Sequence, residues 1–140
     1  MTVIVTDGGF APDDWTGPHV AFEEEGAEAG PGAALDVPPD ADPGQLAARA
    51  QAAGMVRIRF PAFSDGRGFT LAAHLRRAGY RGRLRAAGHV IADQYAMARR
   101  AGFDEVEIGD DLALRQPEDQ WRARADWRAH HYQARLRGQA

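Results

Sequence analysis

The chain of 140 residues contains no cysteine, which excludes disulfides, a cysteine nucleophile, thiolate-bound zinc and iron–sulfur ligation by the chain itself. Any redox step would depend on a borrowed cofactor. Lysine is also missing, so all 17 basic residues are arginine and no Walker-type phosphate loop can be drawn. No apolar run is long enough to cross a bilayer. The N-terminus opens on the strand-like Thr2-Val3-Ile4-Val5 rather than a basic segment leading into an apolar one, so the expectation is a cytoplasmic protein without membrane partners.

What is present suits one domain over residues 1–140, because 44% hydrophobic residues allow a chain of this length to close a core unaided. Charge divides along it. Residues 1–54 hold ten acids and one arginine and residues 55–140 ten acids and sixteen arginines, so −9 is followed by +6, summing to the formal −3. Arginine presents a planar fork suited to carboxylates and oxyanions, although a solvated arginine surface is the plainer reading. Mild overall acidity and the lack of aromatic–basic interleaving argue against nucleic acid as a partner.

The chain reads as an N-terminal arm and loop-rich segment (1–42), an α/β core (43–116) and a helical tail (117–140). In the arm, Thr2 to Phe10 is a short strand with an Asp7-Gly8 turn, and Asp13-Asp14-Trp15 marks a second small element, together a hairpin or arm. Phe22 to Pro43 is mostly loop apart from a strand at Ala33–Val37. Asp42 and Pro43 offer the cap and first residue of a helix through Leu46 and Ala50, stopped by Gly54. Met55–Phe60 alternates as a strand, followed by a helix over Phe69–Ala78, a strand over Gly82–Ala87, a helix through Ile91, Tyr95 and Ala98, and a strand over Asp104–Ile108. The tail after Pro117 is helical by propensity, with Trp121 and Trp127 as anchors.

This order predicts an α/β fold, a small and mostly parallel sheet of about four strands with right-handed crossover helices. Parallel strands buried on both faces read as continuous apolar runs. Here Val56, Ile58 and Phe60 alternate with Arg57 and Arg59, Leu84 and Ala86 with Arg83 and Arg85, and Val106 and Ile108 with Glu105 and Glu107. One charged face follows if every crossover helix covers the other, as in a partial (β/α) barrel. An open flavodoxin-like sheet is the competing arrangement, and an uncovered charged face would suit a homo-oligomer.

Ligands of parallel α/β folds bind beyond the carboxyl ends of strands, which directs attention to three loops. In the first, Gly66 and Gly68 bracket Arg67 just before a helix, so backbone N–H groups, the helix dipole and a guanidinium can face a small oxyanion or phosphate. The alternative is an Asp65-Gly66 turn with Arg67 paired to Asp65. Arg85 lies on the charged face near the end of its strand, where Glu107 can pair with it either for function or to fix register. His89, the only histidine in its loop, is the natural proton-transfer candidate. Asp93 and Gln94 fall in the first turn of the next helix, where Asp93 is expected to cap. His130-His131 point in different directions on a helix, so no metal site is expected.

The run Phe60-Pro61-Ala62-Phe63-Ser64-Asp65-Gly66-Arg67-Gly68-Phe69, with Leu75-Arg76, Leu84-Arg85-Ala86-Ala87-Gly88, Asp93-Gln94 and Gly102-Phe103-Asp104, resembles an uncharacterised bacterial family (DUF934-like). That family is commonly encoded beside sulfite reductase and is often labelled an oxidoreductase of sulfite reduction. The resemblance is strong over residues 55 to 108 and weak at Asp7-Gly8, Asp14-Trp15 and Tyr132-Gln133. The chain departs from the family pattern at His89, where an aspartate is usual, and at Arg59, where an acid is frequent. The resemblance implies a role in assimilatory sulfate reduction, with sulfite reductase or another sulfur-assimilation protein as partner. The leading expectation is an accessory protein that binds a small anion, or a partner's acidic surface, through Arg67 and Arg85 in a shared pocket. The competing expectations are an oxidoreductase using a bound flavin or nicotinamide, and a scaffold docking through its arginine-rich tail.

Overall fold

The computed structural model describes residues 2–24 and 26–128. The arm supplies β1 (Thr2–Thr6), β2 (Gly9–Ala11) and β3 (His19–Ala21). Then follow β4 (Ala34–Val37), α1 (Pro43–Ala50), β5 (Met55–Phe60), α2 (Arg67–Arg77) and β6 (Arg83–Gly88). A 3-10 turn at Ala92–Gln94 leads into α3 (Tyr95–Ala101), and β7 (Glu105–Gly109), α4 (Asp110–Arg115) and α5 (Glu118–Arg122) close the described chain.

All strands join one seven-stranded sheet in the order β2-β1-β7-β6-β5-β4-β3. Strands β3 to β7 pair in parallel, while β1 runs antiparallel to both β7 and β2. The expected four strands become seven because the arm adds a hairpin to one side of the core and β3 to the other. Asp13-Asp14-Trp15, read as a small element, belongs to neither strand. Strands of three residues are too short for an alternation to be read from sequence. The sheet stays open between its edges β2 and β3.

Strands β4, β5, β6 and β7 are neighbours in chain order, so crossovers of one hand carry α1, α2 and α3 to the same face. There Leu46 and Ala50 of α1, Leu71, Ala72 and Leu75 of α2, and Tyr95 and Ala98 of α3 pack in one cluster with Val56, Ile58, Phe60, Leu84, Ala86, Val106 and Ile108. Local signals position these helices. Asp42 accepts the Gln45 N–H at 2.9 Å to start α1, and Gly102, at φ +118°, ends α3. Trp121 of α5 is buried in the same cluster, its indole N–H donating to the Gln116 carbonyl at 2.9 Å.

The opposite face has no crossover helix. It is crossed by residues 12–18, the strap that joins β2 to β3 from one sheet edge to the other. The strap is not straight: the Trp15 N–H turns back onto the Asp13 carboxylate at 2.9 Å, and the chain bends at Gly17.

Candidate functional site

The loops after β5 and β6 and helix α4, which follows β7 directly, meet around a cleft of about 260 Å³ lined by Phe63, Gly88, His89, Gly109, Asp111, Leu112 and Arg115. Gly88 has φ +116°, and a Cβ added there would stand 2.6 Å from the Phe60 carbonyl oxygen. With no side chain between the strands, the His89 N–H donates to that oxygen at 2.9 Å. The imidazole then lies edge-on to Phe63, ring centroids 5.3 Å apart. Gln94 braces the same loops, accepting from the Ile91 N–H at 3.0 Å and donating to the Phe63 carbonyl at 2.8 Å. Arg115 reaches Asp111 only loosely, at 3.8 Å, and both are exposed.

A groove of about 420 Å³ lies along the start of α2, lined by Pro39, Asp40, Ala41, Pro43, Arg67, Thr70 and Leu71. Arg67 is 58% exposed, and its Nε and Nη2 donate to Asp65 at 3.0 and 2.7 Å while its backbone N–H donates at 3.1 Å. Those side-chain hydrogen bonds hold the Asp65 carboxyl below its ordinary range. A Cβ on Gly66 would meet only the Phe69 ring, at an ordinary 4.0 Å, whereas one on Gly68 would come within 2.4 Å of the Phe60 ring. Gly68 therefore lets α2 approach β5; the expected cradle of two glycines is a packing contact at its second position.

Arg85 is elsewhere. It projects from the helix-free face of β6, fully buried, in a row formed by Asp36 of β4, Arg57 of β5 and Glu105 of β7. Its Nε donates to Glu105 at 2.6 Å, its Nη1 to Glu107 at 2.8 Å, and its outer fork to Asp13 of the strap at 3.2 and 3.1 Å. Burial alone would lower the pKa of Arg85, but the carboxylates around it more than offset this and keep it charged. Arg57 bridges Asp36 and Glu107, and Arg83 bridges Glu105 and Asp14. Arg59 pairs with Glu23 while its Nε is buried without a partner among the described residues.

The pocket expected to be shared by Arg67 and Arg85 is thus not formed. Arg67 opens on a groove beside α2, and Arg85 is enclosed by three carboxylates beneath the strap. Arg85 and Glu107 do meet, and Gln94 reaches the loop that precedes Arg67. Asp93 does not cap its helix, because Gln94 makes the reciprocal bond to Ile91; Asp93 pairs instead with Arg124 at 2.7 Å. His130, His131, Tyr132 and Gln133 lie outside the described residues. Among the described residues no group of three or more histidine, aspartate or glutamate side chains is placed to hold a metal ion, and no helix is long and apolar enough to cross a membrane.

Sequence reasoning placed Arg57 and Glu105 on the charged face without naming them as site residues, and passed over Asp13, Asp36 and Arg115 as such; all but Asp13 carried a usable signal. Period-two alternation puts Asp36, Arg57 and Glu105 on one face, and Asp110-Asp111 with Arg115 four residues after Asp111 is a helix-start and i,i+4 signal. Asp13 had no such signal.

Both edge clefts, the parallel strands β4 to β7 and the arginines of the charged face fall within residues 34–140, which match the family model described as a bacterial protein of unknown function (DUF934). The match opens at the first residue of β4 and leaves β1, β2, the strap and β3 outside it. No curated protein and no solved structure matches the chain. With residues 34–140 of its 140 inside the match, the chain belongs to this DUF934 family.

Proposed function

We propose that the chain is an accessory protein of sulfite reduction that binds a small oxyanion at the carboxyl edge of its parallel sheet, using Arg115 as the donor. The pathway comes from the family resemblance. The anion comes from one observation: Arg115 and His89 line a cleft where β5, β6 and β7 end, and among the described residues Arg115 is held only by a loose, exposed contact with Asp111. Arg85, first considered for this role, has its donors committed to Glu105, Glu107 and Asp13. An exposed guanidinium with unspent donors can form a bidentate pair with sulfite at little reorganisation cost. His89 in the same wall can donate a further hydrogen bond to such an anion.

Titration with sulfite, sulfate and phosphate, against chloride of equal ionic strength, tests this reading. Sulfite should stabilise the wild-type protein, and Arg115→Ala should weaken its binding by about tenfold or more, the scale of one charge-assisted contact. Equal and negligible responses by the wild type and Arg115→Ala would remove the proposal. A deletion strain that grows equally well on sulfate and on cysteine as sole sulfur source would remove the pathway assignment.

A further inference from the structure

Three acids hold Arg85, and they differ in kind. Glu105 and Glu107 are buried residues of the neighbouring strand, so their bonds to Nε and Nη1 belong to the sheet. Among the described residues the outward fork of Nη1 and Nη2 faces Asp13 alone, at 3.2 and 3.1 Å. Asp13 sits on the strap and is 31% exposed. Two oxygens placed end-on against a guanidinium fork is the geometry by which arginine takes a carboxylate or another oxyanion. Beside it Arg83, already paired with Glu105, meets a second strap acid, Asp14, which is 72% exposed.

Neutrality does not require the strap. Arg57, Arg83 and Arg85 are matched one for one by Asp36, Glu105 and Glu107 before Asp13 and Asp14 are added. Nor is the strap well satisfied elsewhere. The Trp15 ring packs against Gly17 and Gly54, but its Nε1 is buried without an acceptor among the described residues, which disfavours the closed position. At its far end the strap runs into β3, a half-exposed edge strand of three residues. The last residue of the strap, Pro18, accepts the Ala34 N–H at the start of β4, so a strap that moves off Arg85 draws on the pairing of β3 with β4.

We propose that the outer fork of Arg85, with Arg83 beside it, is an oxyanion-binding site occupied in cis by Asp13 and Asp14, and that a small carboxylate or inorganic oxyanion binds there by displacing the strap. This site is separate from the edge cleft and does not rest on it. Displacement links two distant events, because freeing the strap loosens β3 from β4. That pairing is closed by the Phe22 N–H on the Asp36 carbonyl at 2.8 Å and the Ala34 N–H on the Pro18 carbonyl at 2.9 Å.

The test is rescue, carried out in an Arg115→Ala background so that the edge cleft does not contribute. Thermal unfolding of the full chain is followed with and without Asp13→Ala/Asp14→Ala, in sulfate, in formate and in chloride of equal ionic strength. The strap variant should have a lower Tm, and sulfate or formate should raise it by about 3 °C or more above chloride, with a much smaller rise for the intact strap. Amide exchange at Phe22 and Ala34 should quicken in the intact-strap protein at high sulfate. A response to formate alone identifies a carboxylate site, and a response to sulfate alone an inorganic oxyanion site. Equal responses to all three salts with and without the strap acids would overturn the proposal. Should the double replacement fail to fold, Asp13→Asn, which keeps the shape and one acceptor oxygen, gives the same comparison.

Discussion

Alternate residues of the same strands build two unlike faces. Towards the helices, Val56, Ile58, Phe60, Leu84, Val106 and Ile108 are packed against α1, α2 and α3. Towards the strap, Asp36, Arg57, Arg85, Glu105 and Glu107 form a ladder of ion pairs. Apolar burial is non-directional and accumulates contact by contact, so a lost methylene costs in proportion to what is removed. A buried ladder is conditional: each charge is tolerated only while its partners remain, and removing one strands the others. The helix face therefore supplies graded stability, and the strap face supplies register and an all-or-none dependence on its members.

Arg85→Met offers the largest expected effect. It leaves Glu105 and Glu107 without their shared donor beneath the strap, and the cost expected from a broken buried pair is about 3–5 kcal/mol in denaturant unfolding. A loss below about 1 kcal/mol would erase the distinction between the faces. Gly68→Ala probes the other side. Its new methyl would stand 2.4 Å from the ring of Phe60, a side chain that also packs on Phe69 and Phe103. Overpacking of this kind is expected to cost about 1–3 kcal/mol while leaving the m-value unchanged. Gly66→Ala, whose methyl would meet only Phe69 at an ordinary 4.0 Å, serves as the control.

The same contrast marks what could be read in advance. Strand β5 was expected over Met55–Phe60 and is found there, because six alternating residues between Gly54 and Pro61 leave one register for a two-faced strand. That one face would be charged was equally legible. Which charges meet was not: Asp13 lies 72 residues from Arg85 in the chain, and only the path of the strap across the sheet brings them together. Gly68 illustrates the opposite error. In sequence it completes a glycine-bracketed arginine, while in space it is the point at which α2 touches Phe60. Asp93 was expected to cap because aspartate does so by default, but the longer Gln94 reaches back to the Ile91 N–H and displaces it from that task.

Asp13→Asn sharpens the comparison with the smallest effect and the clearest sign. Burial alone would raise the Asp13 carboxyl, but hydrogen bonds from Arg85 and the Trp15 N–H, with the charge of Arg83 nearby, hold it below its ordinary value of 3.8. A carboxyl whose folded pKa is depressed contributes stability that is fully present above the unfolded value and is lost as pH falls through the folded one. The contribution of Asp13 should therefore be intact near pH 7 and drain away below about pH 3.8. At neutral pH the variant should be less stable by about 1 kcal/mol, a figure already reduced for the partial exposure of the pair. Because Asp7 and Asp14 are also held low, both proteins will weaken in acid, and the informative quantity is the gap between them. Denaturant unfolding at successive pH values should show that gap closing as the acid limb is entered. A gap that stays constant down to about pH 2 would mean that the strap is held by the shape of its contacts with the sheet, and that the charge of Asp13 contributes nothing to keeping the ladder covered.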